Sequence, residues 1–188
     1  MSQAFVHLRL HSEYSISDGM VRIKPLVQAT LAQGMPAVAL TDNSNLYGLV
    51  KLQNAAREAG IKALVASDVW VLPDKSDADP TPLVLFARTD RGYRNLCELL
   101  SRAFIEGRQQ GRATLRKEWL RAGSEGLIAL SGGRLGDVGR ALLAGNQELA
   151  QRLLADWTTI FPDSYYLELQ RTGRANEEDY IHAAVDLA

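Results

Sequence analysis

Short apolar segments with the composition of buried strands alternate with amphipathic segments along this chain, and this alternation limits the possible folds most strongly. Near-continuous apolar runs are typical of strands that are buried on both faces. Strands that alternate with helices are typical of a parallel sheet covered by helices. The sequence therefore predicts an α/β fold with a parallel sheet. The predicted strands are residues 5–10, 35–40, 62–72, 83–87, 126–130 and 165–170.

The predicted helices are bounded by capping and breaking residues. Pro25 lies in the first turn of a helix that ends at Gly34, and Asp90 is predicted to cap another helix. Residues 73–81 form a polar loop and residues 107–113 a connection before a short helix. The remaining predicted helices cover about residues 47–59, 90–106, 135–144, 146–160 and 176–188.

The charge of the chain is balanced overall but uneven locally. The net charge of −1 argues against binding nucleic acid through overall charge. Residues 88–121 nevertheless carry nine Lys or Arg against four Asp or Glu. These side chains form either solvated helix faces or a basic surface for a nucleic acid or an acidic partner.

Cysteine usage and hydropathy indicate the cellular compartment. Cys97 is the only cysteine, which excludes an intrachain disulfide and favours a reducing cytoplasm. No signal peptide is visible at the N-terminus. No apolar stretch approaches the roughly 18 residues that a membrane span needs. We therefore expect a cytoplasmic protein.

The N-terminal run from His7 to Asp18 has the shape of a metal site with one flaw. On a strand, His7, Arg9 and His11 lie on one face, because successive side chains point to opposite faces. Two imidazoles and a nearby carboxylate are suitable metal ligands. Arg9 is not, because a guanidinium stays charged and has no lone pair to give.

Further polar residues follow the ends of the predicted strands. In β/α barrels the carboxyl ends of the strands carry the functional site, so these side chains are candidates for one cluster. The residues at these strand ends are His11, Asp42, Asp68, Arg88, Ser131 and Arg171.

The ordered motifs of the chain resemble one family, the polymerase and histidinol phosphatase (PHP) domain at the N-terminus of bacterial DNA polymerase III alpha subunits. This resemblance implies that residues 1–188 are one PHP domain, a distorted seven-stranded β/α barrel truncated before its last strands. It also implies a trinuclear metal site at the carboxyl ends of the strands. The matching segments are residues 5–15, 18–19, 34–42, 45–46, 60–62, 92–96, 125–132 and 166–169.

The metal ligands of the family carry over to only a few positions. His11 and Asp18 match ligand positions, and Asp68 replaces a glutamate ligand with a side chain one methylene shorter. The resemblance implies ligand losses at five positions, namely Arg9, Asn43, Pro82, Gly133 and Thr172. Three surviving donors are too few for three metals, since a single zinc needs three or four. We therefore predict a vestigial metal site, no catalytic residue and no cofactor in this chain.

Arg9 is predicted to take over part of the charge of the missing metal. Its guanidinium places a cation where a metal would bind, and it is expected to pair with Asp18 or Asp68.

The resemblance implies a role in replication. The parent protein would be a replicative DNA-directed DNA polymerase, a nucleotidyltransferase that takes DNA and deoxynucleotides and binds Mg²⁺ in a different domain. The present chain would be an N-terminal fragment, a structural module that docks the proofreading exonuclease subunit and other holoenzyme subunits. Two alternatives stay open: a metal-dependent phosphoesterase or 3′–5′ exonuclease that uses the residual ligands, and an error-prone paralogue of the same polymerase.

Overall fold

The computed structural model describes residues 5–73, 79–109 and 111–188, which form seven α-helices and a sheet of seven strands. The mixed α/β class predicted from the sequence is therefore confirmed. The helices are α1 (Ile23–Ala32), α2 (Leu49–Ala59), α3 (Asp90–Ile105), α4 (Lys117–Gly123), α5 (Asp137–Leu143), α6 (Gln147–Ile160) and α7 (Glu177–Leu187). The strands are β1 (Ala37–Leu40), β2 (Lys62–Leu72), β3 (Thr81–Ala87), β4 (Arg108–Gln109), β5 (Arg112–Arg116), β6 (Leu127–Leu130) and β7 (Tyr165–Tyr166).

The chain divides into two compact units, Met1–Asp68 and Val69–Ala188. In the first unit, β1 pairs in parallel with the first residues of β2, from Ala37 opposite Lys62 to Leu40 opposite Val65. Helices α1 and α2 supply the apolar side chains that cover these strands. The core of this unit comprises Ile23, Val27, Val38, Leu40, Leu52, Ala56 and Ile61. A parallel pair buried in this way agrees with the continuous apolar runs in the sequence.

The second unit contains the remaining strands in the order β4-β5-β2-β3-β6-β7. The pairs β2–β5 and β6–β7 are parallel. The pairs β3–β6 and β4–β5 are antiparallel, so the expectation of an all-parallel sheet is wrong. Strand direction cannot be deduced from burial here. Strand β3 is buried along almost its whole length, and such a strand has the same apolar sequence whether its partner is parallel or antiparallel.

Three predicted elements differ in extent. Residues 5–10 form no full strand and make one parallel bridge pair, His7 with Val38. The strand predicted at 165–170 has only two residues. The connection predicted at 107–113 contains β4 and the start of β5. The polar loop at 73–81 lies partly outside the described residues.

The N-cap of helix α3 lies one residue before the predicted cap. Thr89, not Asp90, is the N-cap residue, and its hydroxyl accepts a hydrogen bond from the Gly92 amide at 3.1 Å. A Cβ on Gly92 would lie 1.9 Å from the carbonyl oxygen of Gly126, which itself has φ of +74°. Both glycines are required because the start of α3 packs directly on the backbone that leads into β6.

No helix in the described ranges is both long and apolar enough to cross a membrane.

Candidate functional site

The N-terminal segment lies beside β1 and brings its polar side chains to the end of that strand. The Ala39 amide donates to the carbonyl of His7 at 3.0 Å, and the Thr41 amide donates to the carbonyl of Leu10 at 2.9 Å. Parallel pairing of this kind carries His11 to the carboxyl end of β1. The chain then turns through a short 3₁₀ helix, Glu13–Ser15.

Arg9 and His11 converge on one buried carboxylate, Asp68, which is only 3% exposed. Arg9 Nε lies 2.9 Å and Arg9 Nη2 2.7 Å from Asp68 Oδ2. His11 Nε2 lies 2.8 Å from the same oxygen. Arg9 therefore pairs with Asp68, one of its two predicted partners. His7 shares the predicted face but remains exposed, edge-on to the ring of Phe5.

Both ring nitrogens of His11 are occupied. Nδ1 lies 2.8 Å from Asp18 Oδ2, and Nε2 contacts Asp68. An ionised carboxylate only accepts hydrogen bonds, so two such partners require both ring nitrogens to donate. Burial lowers the pKa of His11, but the hydrogen bonds and charges of Asp68 and Asp18 outweigh it and raise that pKa above its usual value. The geometry thus favours the imidazolium form, which has no lone pair for a metal.

Arg9, His11, Asp18 and Asp68, called here the N-terminal ion cluster, form a balanced set of charges. Two cations face two carboxylates at hydrogen-bond distance. The second oxygen of Asp68, Oδ1, is buried and has no hydrogen-bond partner among the described residues. Both carboxylates of the cluster are therefore paired with side chains of the chain itself.

A second buried carboxylate, Asp42, fixes the loop that carries Asp18. Asp42 is 1% exposed. Its Oδ1 accepts from the Ser12 amide at 2.7 Å and from the Ser15 hydroxyl at 2.7 Å, and its Oδ2 accepts from the Ser12 hydroxyl at 2.8 Å. The sequence placed Asp42 among the strand-end candidates for one cluster but did not predict that it holds the serines of the neighbouring loop. The signal that could have revealed its role is the pair of serines three residues apart that follows His11.

Asn43 is one of the five positions at which the resemblance implies the loss of a metal ligand. Its backbone bridges to Asp68, and its amide donates to the Ser15 hydroxyl at 3.0 Å. The next residue, Ser44, donates its amide to the Asp68 carbonyl at 2.7 Å. The backbone after β1 is therefore tied to both the loop and β2.

The remaining predicted positions lie in the second unit and are described separately. Pro82 belongs to β3, and its carbonyl oxygen would lie 2.2 Å from a Cβ on Gly132. Gly133 has φ of +61° and lies beside Glu168 and Gln170. Neither Pro82 nor Gly133 has a side-chain donor atom for a metal.

Thr172 is held by a carboxylate from α7. Glu177 is 4% exposed. It accepts from the Thr172 amide at 2.6 Å, the Gly173 amide at 2.8 Å and the Thr172 hydroxyl. The hydrogen bond from this hydroxyl is the main cause of the lowered pKa of Glu177. Thr172 therefore serves to anchor the turn before α7.

Glu177→Gln is expected to lower the melting temperature, because an amide cannot accept all three hydrogen bonds. A lowered folded-state pKa stabilises the protein above the unfolded pKa, and this contribution is lost as the pH falls through the folded pKa. The difference in melting temperature between the two proteins should therefore be largest near pH 7 and should shrink toward about pH 3–4. Thermal unfolding followed by circular dichroism at several pH values measures it.

Asp179→Asn is the matched control, since Asp179 is exposed in the same first turn of α7. It should change the melting temperature little at any pH. A difference for Glu177→Gln that stayed constant down to the lowest pH would contradict the role of the ionised carboxylate.

The donor set of the N-terminal ion cluster does not fit the metal site of the family. In the part of the chain that the structure describes, no group of three or more His, Cys, Asp and Glu side chains is arranged to hold a metal ion. The geometry adds a positive reason: Arg9 and His11 both contact Oδ2 of Asp68, and His11 has both of its ring nitrogens on carboxylates. A metal would have to displace two cations that already lie there.

Comparisons with known proteins give consistent matches. The family described as PHP domain matches residues 7–172. DNA polymerase III subunit alpha of Pseudomonas aeruginosa is 47% identical over 188 residues, which is 100% of this chain and 16% of that protein. DNA polymerase III subunit alpha of Escherichia coli K12 is 49% identical over 184 residues, 98% of this chain and 16% of that protein. The chain thus spans about one sixth of the length of these relatives.

Two solved structures share the fold at low sequence identity. A protein of Bifidobacterium adolescentis with the provisional name metal-dependent phosphoesterase has a TM-score of 0.59 and 14% identity, over 98% of this chain and 84% of its own. An amidohydrolase of Chromobacterium violaceum, solved with sulfate and no metal, has a TM-score of 0.61 and 16% identity, over 97% of this chain and 82% of its own. At such identities the likeness is one of fold alone.

Proposed function

Because the chain belongs to the PHP domain family, we propose that it is the N-terminal PHP domain of a replicative DNA polymerase III alpha subunit. Identities of 47% and 49% to two alpha subunits, over nearly all of this chain, support this assignment. The parent protein would synthesise DNA from deoxynucleotides in the cytoplasm, with Mg²⁺ bound in a polymerase domain outside this chain. The domain itself would complete a distorted seven-stranded barrel.

We further propose that the domain is a structural and docking module without metal-dependent activity of its own. The single observation that carries this proposal is the contact of Arg9 with Asp68 at 2.7 Å. A metal-activated water, the usual nucleophile of such hydrolases, needs a metal held by several ligands. In the N-terminal ion cluster, only Oδ1 of the buried Asp68 carboxylate lacks a hydrogen-bond partner among the described residues. A domain that has exchanged its metal for an ion pair can still supply a rigid surface. We propose the proofreading exonuclease subunit as the partner that docks on it.

Metal analysis of the purified chain tests the loss of the site. We expect less than stoichiometric zinc or manganese after purification with these metals present. We also expect no phosphatase or 3′–5′ exonuclease activity that His11→Ala abolishes. Stoichiometric, tightly bound metal together with such an activity would establish the phosphoesterase alternative instead.

Arg9→His supplies the sharper comparison, because it removes the internal cation and restores an imidazole at the same position. This variant should bind zinc more tightly than the natural chain, as measured by titration against a chromogenic chelator. Arg22→His, at an exposed arginine of the same unit, controls for the added imidazole and should bind no more zinc than the natural chain.

Docking is tested by size-exclusion chromatography of the chain mixed with the purified exonuclease subunit. We expect a complex that survives Arg9→His, since the cluster is not proposed as part of the docking surface. Absence of a complex, with a full-length alpha subunit as the positive control, would overturn the docking role but not the family assignment.

A further inference from the structure

The second unit has a solvent-open cavity of about 410 Å³, here called the tryptophan pocket, that the proposed function does not use. Its lining residues are Trp70, Asp79, Pro80, Arg112 and Arg140. Arg112 comes from the start of β5 and Arg140 from α5. Two arginines from separate elements therefore converge on one opening.

The guanidinium of Arg112 is held in place by an aromatic ring. Its Cζ lies 4.4 Å from the ring centroid of Trp70. Stacking leaves the N–H edge of a guanidinium free, and that edge fits two oxygens of a phosphate or carboxylate at once. A side chain already fixed in this way loses less conformational entropy when it binds an anion.

Arg112 and Arg140 make no ion pair with any carboxylate among the described residues. Both side chains are exposed. This contrasts with Arg102, which pairs with Glu106 at 3.0 Å, and Arg121, which pairs with Asp156 at 2.6 Å. Arg112 thus brings one cation of the basic stretch 88–121 to this pocket, and Arg140 adds a second cation from α5.

The basic surface continues along the β4–β5 hairpin. Arg108 is exposed opposite Ala113. Arg116 is exposed at the other end of β5, where its guanidinium lies 5.5 Å from the Trp119 ring centroid and makes a long, exposed ion pair with Glu118 at 3.7 Å. Arg112 and Arg116 are four residues apart on one strand, a separation of about 13 Å. A surface with cations spaced in this way suits a ligand that carries repeated negative charges.

We propose that the tryptophan pocket and the adjacent hairpin bind phosphate groups of the nucleic acid backbone. A single-stranded or duplex backbone presents phosphates at regular spacing, and arginines neutralise them without sequence preference. An acidic peptide is the less suitable ligand, because the pocket offers little apolar surface beyond Trp70 and Pro80 to pack against it. This proposal does not rest on the polymerase assignment.

Binding of a fluorescein-labelled oligothymidylate to the 188-residue chain, measured by anisotropy at several salt concentrations, tests the proposal. We expect Arg112→Ala and Arg140→Ala each to weaken binding about tenfold at low salt. Each should also reduce the slope of log K against log salt by about 0.7–1. Arg112→Lys should restore part of the affinity, since it keeps the charge but not the planar fork.

Asp79→Asn is expected to act in the opposite direction. Asp79 is an exposed carboxylate on the wall of the pocket, so removing its charge should tighten binding about threefold at low salt. Misfolding cannot produce such a gain.

Arg57→Ala is the matched control for each single variant, because it removes the same single charge from an exposed position outside the pocket. It should weaken binding less than twofold. An equal loss of affinity in this control would mean that binding depends only on overall charge, and it would overturn the proposal. Displacement of the DNA by a polyglutamate peptide at equal charge concentration would also overturn it.

Discussion

Asp42→Ala is expected to destabilise the first unit by about 3–5 kcal/mol, because it leaves three buried donors without an acceptor. The Ser12 amide, the Ser12 hydroxyl and the Ser15 hydroxyl all donate to this carboxylate at 2.7–2.8 Å. The loop they hold carries Asp18, whose carboxylate reaches His11. Loss of Asp42 should therefore also loosen the N-terminal ion cluster.

The measurement must report on the first unit. All three tryptophans, Trp70, Trp119 and Trp157, belong to the second unit, so tryptophan fluorescence is a poor probe of this variant. Hydrogen exchange of the amides of residues 12–19 is the direct probe. These amides should exchange faster in Asp42→Ala, and the protection of Ser12 should fall most, since its N–H donates to the missing carboxylate.

Two further variants distinguish the loss of the hydrogen-bond acceptors from the loss of side-chain volume. Asp42→Asn keeps the shape of the side chain and one carbonyl oxygen, so its free energy of unfolding should fall by only about 1–2 kcal/mol. Glu58→Ala removes an exposed carboxylate from α2 of the same unit and should change stability by less than about 0.5 kcal/mol. If Asp42→Ala lowered stability no more than Glu58→Ala, the loop would be held by other contacts.

The sequence predicted the helices well because their ends have local causes. Gly60 ends α2 in the left-handed conformation with φ of +73°, as the glycine after the helical pattern indicated. The apolar strands β2 and β3 were also predicted correctly in place. Propensity and capping act over a few residues, and that range is visible in a single sequence.

The β4–β5 hairpin and the strand directions could not be predicted in this way. The hairpin begins and ends on exposed arginines, Arg108, Arg112 and Arg116, and lacks the alternation that marks a strand. The antiparallel pairing of β3 with β6 depends on tertiary contacts, because a strand buried on both faces has no pattern that distinguishes its partner's direction.

The residues of the candidate site were predicted from the sequence, but not all of the hydrogen bonds between them were. The pairing of Arg9 with a nearby carboxylate follows from charge alone. The occupation of both His11 nitrogens does not, because it depends on the positions of Asp18 and Asp68 around one ring. The proposal that the metal site is vestigial remains a prediction, and the geometry adds a physical reason for it.

Lys117→Met is expected to destabilise the second unit by about 3 kcal/mol, since it removes a buried cation that pairs with two partly buried carboxylates. Lys117 is 5% exposed, and its Nζ lies 2.7 Å from Asp156 Oδ2 and 3.9 Å from Asp137 Oδ2. It also lies 4.8 Å from the ring centroid of Trp157. Burial raises the pKa of Asp137, and the hydrogen bond from Trp157 and the charge of Lys117 offset this only in part. Without Lys117, the Asp137 carboxylate would lose its nearest cation.

The pH dependence of this variant distinguishes a charge effect from a packing effect. Asp137 has a raised folded-state pKa, so the folded protein takes up a proton more readily than the unfolded chain and is relieved of the unpaired charge as the pH falls. The penalty of Lys117→Met should therefore shrink on going from about pH 7 to about pH 5. Urea unfolding followed by tryptophan fluorescence measures it, since every tryptophan reports on this unit.

Arg121→Ala provides the matched comparison, because Arg121 binds the other oxygen of Asp156 at 2.6 Å but has a half-exposed side chain. An exposed partner contributes at most about 1 kcal/mol, so this variant should lose far less than Lys117→Met. Adding Asp137→Asn to Lys117→Met should restore part of the lost stability at neutral pH, because it removes the carboxylate that has lost its cation. Equal losses for Lys117→Met and Arg121→Ala, or no recovery in the double variant, would mean that the buried charge of Asp137 is not what Lys117 stabilises.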